Sequence, residues 1–432
     1  MILSDIAPGD KFLQKETLSK GKNNVLEETE NLDDHATHLE VHRLKQDYDK
    51  WCERMDYLGR WAALYDCPSK MQNIGYKIYY YFTFLCCMWG MSGWIVALIY
   101  SLLEKPIPCI LSWYEIHSNG KPKDLYEAIG VILLASVPAV CFIFRPASFS
   151  AGASDGMHSC EFCPTKNPAT LKEMVQTVRF NVCAAWGIII VGFIGGVTIW
   201  NVNLHNIVVQ HGSFECGNDL LIVLDQIIVF PVYSVAATVV AHTVMSFAMK
   251  MTYFQNCFLQ LKNDLKSAKR GQLDPYTFLK DVNEVQENIL KTGKKFGMYL
   301  GVYTIVCVLC TSFFAGKIPS LVATSYKDFL LRAFYQLLFV IPNVYVLKST
   351  ASLGSNGLIV IRAFLRRTAE EVDEKILRKA KYVNQHLSLR LQVGDIGLRM
   401  YGVLLDFKFL TQLFSLWGTF LTMVYSSAQS QI

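Results

Sequence analysis

Residues 182–201 read VCAAWGIIIVGFIGGVTIWN, a run of twenty residues without a charged side chain. A helix of about 20 apolar residues crosses the roughly 30 Å hydrocarbon core of a bilayer, where each segment has to satisfy its own peptide groups. The rest of the chain agrees with this stretch, because 52% of the 432 residues are hydrophobic and 18% are charged. Soluble domains average about 25% charge. The sequence therefore predicts an integral membrane protein.

Six further stretches meet the same test of length and hydropathy, so we predict an all-α fold with seven transmembrane helices. The predicted spans are Tyr79–Leu103, Leu125–Phe144, Val182–Asn201, Leu220–Met249, Phe296–Phe314, Phe329–Leu347 and Tyr401–Gln429. The sixth span contains Arg332, and the seventh contains Asp406 and Lys408. Because a charge in hydrocarbon is costly, we expect neither of these two helices to face lipid on all sides.

Lysine and arginine are distributed very unevenly between the loops. The segments before span one and after spans two, four and six hold 34 of them, whereas the other loops hold five. Cytosolic segments near spans retain these residues, so we predict a cytosolic amino terminus and a short extracellular carboxyl terminus. This inverted topology excludes a G-protein-coupled receptor. The first 72 residues are polar, and we expect the first span to serve as its own insertion signal.

Two cytosolic segments are predicted to be helical. Apolar residues recur at three- and four-residue steps at Ile361, Leu365, Ala369, Val372, Ile376, Ala380, Val383 and Leu387, and again at Phe278, Val282, Val285 and Ile289. The second series follows Asp274-Pro275, a typical helix start. We expect a cytosolic anchor bundle built from extensions of helices four to seven. Separate amphipathic helices on the membrane surface are the alternative.

The predicted organisation has six parts. They are a cytosolic amino-terminal region at 1–72, spans one to four at 73–249, anchor helices at 250–295, spans five and six at 296–349, anchor helices at 350–400, and span seven with a short tail at 401–432.

No Walker loop, nucleophile elbow, zinc-protease helix or dinucleotide fingerprint occurs, so we predict neither an enzyme nor a cofactor. A net charge of +5 without a basic face argues against a nucleic-acid partner. His158, Cys160 and Cys163 lack an obvious fourth ligand, so we predict no metal and interpret the two thiols as solvated or as a redox-responsive pair. Cys109 and Cys216 are the cysteines in predicted extracellular loops, where a disulfide between them would persist.

Ionisable side chains within spans mark an interior, a cavity or a site. The candidates are Glu127, Asp225, His242 and Arg332. Asp225 and Arg332 fall at similar depth in the outer half of the membrane, and we expect them to pair. Two interpretations of these ionisable side chains stay open, a structural ion pair and a ligand contact. Cys307 and Cys310 are interpreted as small packing residues of span five.

In the last span, Asp406 lies thirteen residues before Thr419, which Phe420 follows. This segment resembles the carboxyl-terminal signature of the insect gustatory and odorant receptor superfamily, in which Asp or Asn precedes a Thr-Tyr pair by thirteen residues. Phe420 stands for the Tyr, apolar residues follow at Leu421 and Val424, and Ser426 stands where the family has Gln. The inverted seven-span topology, the long cytosolic extensions and the short tail resemble the same superfamily. The departures are more similar to a divergent gustatory-like receptor of a non-insect animal, such as a nematode.

The resemblance implies a homotetrameric, stimulus-gated, nonselective cation channel in the plasma membrane of sensory neurons. It also implies a central pore lined by the second half of span seven, at Thr419, Thr422, Met423, Ser426 and Ser427. Packing of small residues between helices is the other interpretation of this stripe. The expected partners are further copies of the chain, lipid, permeant cations and a small-molecule stimulus.

Two alternatives remain at this point. The stimulus of the channel is either a tastant or, as in certain nematode members, light or hydrogen peroxide. The other class is a membrane protein without a pore, either a transporter or a metabotropic chemoreceptor of inverted topology. The absence of an internal repeat weakens the transporter interpretation.

Overall fold

The computed structural model describes residues 39–59, 168–211, 219–268, 273–324, 326–371, 373–394, 396–400 and 402–430, with scattered residues between 74 and 103. For residues 195–211, 219–236 and several positions from 239 to 339 it describes the backbone but not the side chains.

The described residues are almost entirely helical, which confirms the predicted all-α class. The helices are α1 (39–59), α2 (Pro168–His211), α3 (Asp219–Ser267), α4 (Pro275–Thr324), α5 (Tyr326–Ala369), α6 (Glu374–Val393) and α7 (Phe407–Gln429). Two short antiparallel strands, β1 (Arg399–Met400) and β2 (Val403–Leu404), form a ribbon between α6 and α7.

Several helices are longer than a bilayer is thick. The 50 residues of α4 extend for about 75 Å, at roughly 1.5 Å per residue. Three segments of the described residues are long and apolar enough to cross a membrane, namely Pro168–Ile194, Leu300–Pro319 and Gln336–Ala369. They overlap the third, fifth and sixth predicted spans. The second predicted span lies outside the described residues, and the first is described only at scattered positions.

We call residues 250–268, 275–294 and 348–369 together with α6 the anchor. The apolar series predicted at the start of α4 is buried, with Val282, Val285 and Ile289 fully inaccessible. The ring of Phe278 stacks on that of Phe364 in α5, with centroids 4.1 Å apart. These contacts join helices that are distant in sequence, so the anchor helices pack on one another as a bundle.

The apolar stripe predicted from Ile361 to Leu387 belongs to two helices. α5 ends at Ala369, and α6 begins at Glu374 after Asp373 caps it by accepting a hydrogen bond from the backbone N–H of Lys375 at 2.8 Å. Periodicity alone did not reveal the break, because apolar residues continue at helical spacing through it.

α1 packs one apolar face against the core. Tyr48, Cys52, Met55 and Leu58 are buried at steps of three and four residues, as expected for an amphipathic helix. On the neighbouring face, the guanidinium groups of Arg54 and of Arg179 in α2 lie 4.2 and 5.7 Å from the centre of the Trp51 ring. The aromatic–cation contacts therefore join α1 to the first half of α2.

Candidate pore helix and its connection to the anchor

α7 begins at Phe407, six residues after the predicted start of the seventh span. The chain before it forms the ribbon, which turns through Gly402 at φ +83°, a conformation that favours glycine. A side-chain oxygen of Asp406 accepts the backbone N–H of Phe409 at 2.7 Å. Asp406 is therefore the N-cap of α7 and not a charge inside the span.

The connector, residues 394–406, is held to α4 by a buried amide. The side chain of Gln286 is 6% exposed. Its Nε2 donates to the carbonyl oxygen of Gly397, and its Oε1 accepts the N–H of Gly397, both at 3.2 Å. Each polar group that the pair buries thus gains a partner. The two hydrogen bonds fix the backbone of the connector at the point where the chain passes from α6 towards α7.

Glycines of α4 and α5 allow the connector to approach closely. A Cβ atom on Gly354 would lie 2.9 Å from the carbonyl oxygen of Ile396, and one on Gly357 would overlap the Ile396 side chain. A Cβ atom on Gly293 would lie 2.9 Å from the side chain of Leu398. The connector therefore occupies a groove whose walls cannot accept larger residues without displacement.

One face of α7 packs on α4. Leu410 and Trp417 are the buried residues of this helix. The indole Nε1 of Trp417 donates to the hydroxyl of Thr311 at 2.9 Å. Further along, a Cβ atom on Gly316 would lie 3.1 Å from Val424, so the two helices are in close contact there.

The opposite face of α7 is polar and exposed. Turning through roughly 100° per residue, it presents Lys408, Gln412, Ser415, Thr419, Thr422 and Ser426, which are all exposed. We call these six residues the polar stripe. The hydroxyls of Thr419 and Thr422 donate to the carbonyl oxygens of Ser415 and Gly418 at 2.9 Å. Their donors are thus occupied within the helix, and their lone pairs remain available to an outside group.

All five residues predicted to line a pore are exposed in the single chain. Thr419, Thr422 and Ser426 belong to the polar stripe, and Met423, which is 60% exposed, lies beside it. Ser427 is also exposed but lies farther round the helix, on the side of Leu416. Their assignment to a pore stays a prediction.

Of the other candidate site residues, His242 is the one whose side chain the structure describes. His242 is 1% exposed within the helical core, where its Nε2 lies 3.3 Å from the hydroxyl of Ser246. Asp225 and Arg332 lie on α3 and α5, but their side chains are outside the described set, so their pairing stays a prediction. The remaining candidates, Glu127, Cys109, Cys216, Cys160 and Cys163, lie outside the described residues.

Cys307 and Cys310 are 3% and 2% exposed and belong to the main hydrophobic core. This burial confirms their interpretation as packing residues of α4. A buried thiol behaves as a small hydrophobic side chain.

Sequence reasoning missed two polar contacts between the apolar helices. The hydroxyl of Thr304 in α4 donates to the side-chain oxygen of Asn343 in α5 at 3.1 Å. The hydroxyl of Tyr345 in α5 donates to the side-chain oxygen of Asn181 in α2 at 3.2 Å. An asparagine within an otherwise apolar run was the available signal, since such a group requires a partner in a neighbouring helix.

No protein-family model matches the chain, and no curated protein matches it. Solved structures do. The insect olfactory receptor OR5 from Machilis hrabei superposes with a TM-score of 0.62 at 14% identity, over 88% of this chain and 99% of that one. The structure of the same receptor in complex with eugenol gives 0.61 at 12% identity, over 88% and 100%.

This similarity extends over nearly the whole of both chains, so the protein has the fold of an insect olfactory receptor. The three apolar segments that are long enough to cross a membrane agree with a multi-pass membrane protein of this fold. At this low identity the similarity shows the fold, and the activity and the stimulus have to be inferred from the residues of this chain.

Proposed function

We propose that the protein is a sensory receptor that forms a homotetrameric, stimulus-gated, nonselective cation channel. In this proposal the amino terminus is cytosolic, four copies of α7 surround one pore, and the polar stripe of each faces the axis. The observation that carries the proposal is the two-sided character of α7, which buries Leu410 and Trp417 on one side and exposes polar residues on the other. A helix that crosses a membrane exposes such a stripe to water or to other protein more readily than to lipid.

The chemistry of the stripe suits cations. Because the hydroxyl protons of Thr419 and Thr422 are donated to backbone carbonyls, the outward lone pairs are acceptors that can replace part of the hydration shell of a cation. Beside them, the flexible apolar side chain of Met423 is suited to closing a narrow passage by excluding water.

The flanks of α7 support assembly with further copies. Leu416 is 70% exposed and Phe407 is 48% exposed in the single chain. Neighbouring copies of α7 would cover these apolar side chains while leaving the polar stripe towards the axis. A native mass of about four times the 49.0 kDa chain is the expected result for the purified protein in detergent or nanodiscs.

Substituted cysteines test the pore directly. In channels opened by a stimulus, a water-soluble thiol reagent should block current through Thr419→Cys and Ser426→Cys. The matched control is Leu421→Cys, because Leu421 is half-buried on the packed side at a depth between the two. Equal modification of all three variants, or of none in a channel that conducts, would exclude the polar stripe as the conduction path.

The stimulus is proposed to be a small molecule such as a tastant, with light or hydrogen peroxide as the other candidates. The receptor OR5 of Machilis hrabei has been solved in complex with eugenol, a small aromatic compound. Current recording from cells that express this chain alone, against sugars, bitter compounds, peroxide and ultraviolet light, distinguishes these stimuli. If none evokes current although the protein reaches the plasma membrane, the receptor-channel proposal fails for this chain on its own.

A further inference from the structure

Lys408 lies at the beginning of the polar stripe. Lys408 and Ser426 are 18 residues apart, which is about five turns of helix, so their side chains leave α7 in the same direction. Lys408 is exposed. In the proposed topology it stands at the cytosolic end of the helix, whereas Ser426 stands near the extracellular end.

Helix stability does not account for a lysine at this position. Lys408 is the second residue of α7, where the helix dipole presents partial positive charge and disfavours a cation. The nearby carboxylate of Asp406 is directed to the backbone N–H of Phe409 at 2.7 Å, where it offsets the dipole and not the ammonium group. Asp406 and Lys408 are the charged side chains of α7 and its cap.

The proposed assembly multiplies this charge. Four copies of α7 around one axis would place four ammonium groups at the cytosolic mouth of the pore. Rings of charged side chains are a general determinant of conduction in channels. The positive ring would lower the local concentration of cations at the cytosolic mouth. The outer half of the pore, lined by uncharged hydroxyls, would not oppose the entry of cations from outside.

We propose, on the basis of the proposed function, that Lys408 sets the ratio of inward to outward current. A ring of four Lys408 side chains opposes the exit of cations from the cell, so that inward current exceeds outward current. Because exposed charges are screened over about 8 Å at physiological ionic strength and about 30 Å at 0.01 M, the asymmetry increases as the salt concentration falls.

The test is the current–voltage relation of open channels in inside-out patches with symmetric cation solutions. In Lys408→Gln, the ratio of outward to inward conductance should rise about two- to fivefold over wild type at low salt, and less at high salt. Lys408→Glu should raise it further, and Lys408→Arg should behave as wild type. The control is Lys266→Gln, since Lys266 is an exposed lysine in the last turn of α3, away from the stripe. It should leave the ratio unchanged.

The failure of this inference is distinguishable from failure of the channel proposal. If Ser426→Cys is blocked by thiol reagents but Lys408→Gln and Lys408→Glu retain the wild-type ratio at both salt concentrations, the ring does not exist although the pore does. If the variants do not reach the membrane, Lys408→Cys can be charged after assembly by cytosolic thiosulfonate reagents. A positive reagent should restore the wild-type ratio, and a negative reagent should raise it; equal effects of the two would overturn the inference.

Discussion

Trp417 of α7 donates its indole N–H to the hydroxyl of Thr311 of α4 at 2.9 Å. The same hydroxyl donates to the carbonyl oxygen of Cys307 at 2.7 Å, so its proton is already occupied and its lone pairs point towards the indole. The contact fixes the rotation of the proposed pore helix relative to the helix on which it packs.

We expect Trp417→Phe and Thr311→Val to be coupled. Either substitution removes the hydrogen bond, and the double variant should lose about 1 kcal/mol less stability than the sum of the single losses. The apparent melting temperature of the purified assembly, measured for all four members of the cycle, gives this coupling. Strictly additive losses would mean that the hydrogen bond does not hold α7 in place.

Replacement of Gln286 by Leu should release the connector. The substitution retains much of the side-chain volume but leaves both the N–H and the carbonyl oxygen of Gly397 buried without their partner. Each such group costs about 1–3 kcal/mol, so a loss of about 2–6 kcal/mol is expected for the two. The matched control is Gln385→Leu on α6, because Gln385 is an exposed glutamine of the anchor.

The two Gln286 and Gln385 variants are compared by thermal stability and by the protease sensitivity of the connector. A Gln286→Leu protein as stable as Gln385→Leu, with an equally resistant connector, would show that the two hydrogen bonds contribute little.

The docking of α1 should depend on alkaline pH through Cys52. Burial, reinforced by Asp56 and Asp49 and opposed by a hydrogen bond with Tyr48, raises the pKa of the Cys52 thiol from 9.0 to about 12. The folded state therefore binds the proton more tightly than the unfolded segment does. The protonated Cys52 thiol therefore contributes fully to the stability of the folded state below pH 9, and this contribution is lost as the pH rises from about 9 to 12.

Thiol labelling read by mass spectrometry measures this dependence. Cys52 should be almost unreactive near pH 8, whereas Tyr57→Cys on the same helix should react readily, because Tyr57 is 58% exposed. As the pH rises above 9, the labelling of Cys52 should increase more steeply than that of the control. Rapid labelling of Cys52 at pH 8 would contradict the packing of α1 against the core.

The topology can be tested with epitope tags. Tags at the amino terminus and next to Lys269 should bind antibody only after permeabilisation, whereas a tag after Ile432 should bind on intact cells. The expectation follows from the 34 to five distribution of lysine and arginine. Staining of an amino-terminal tag on intact cells would show that the orientation is the opposite of the predicted one, with Lys408 at the outer mouth.

The sequence predicted those parts of the fold that have a local signal. The start of α4 follows from Asp274 and Pro275, and the side-chain carboxylate of Asp274 indeed accepts the hydroxyl of Thr277 at 2.8 Å. The buried face of the same helix follows from the three- and four-residue spacing of its apolar side chains. Such signals depend on neighbours within one or two turns.

Other parts depend on contacts between distant residues. The connector is held by Gln286, which is 111 residues from Gly397 in sequence, and no periodicity links the two. For the break before α6, a signal was present in Asp373, a common N-cap residue. It was outweighed by the apolar spacing that continued through it. Likewise, the exposed side of α7 could be predicted from a motif, but its packed side required the position of Thr311.

The separation between Gln286 and Gly397 has a consequence for biosynthesis. At about 5–20 residues per second, the ribosome adds the 111 residues from 287 to Gly397 in roughly 5 to 20 seconds. During that time the side chain of Gln286 has no Gly397 to bind, and the groove lined by Gly354 and Gly357 stands empty. The groove is therefore filled only after residues 396–398 have been synthesised, and a chain that terminates before this point leaves it unfilled.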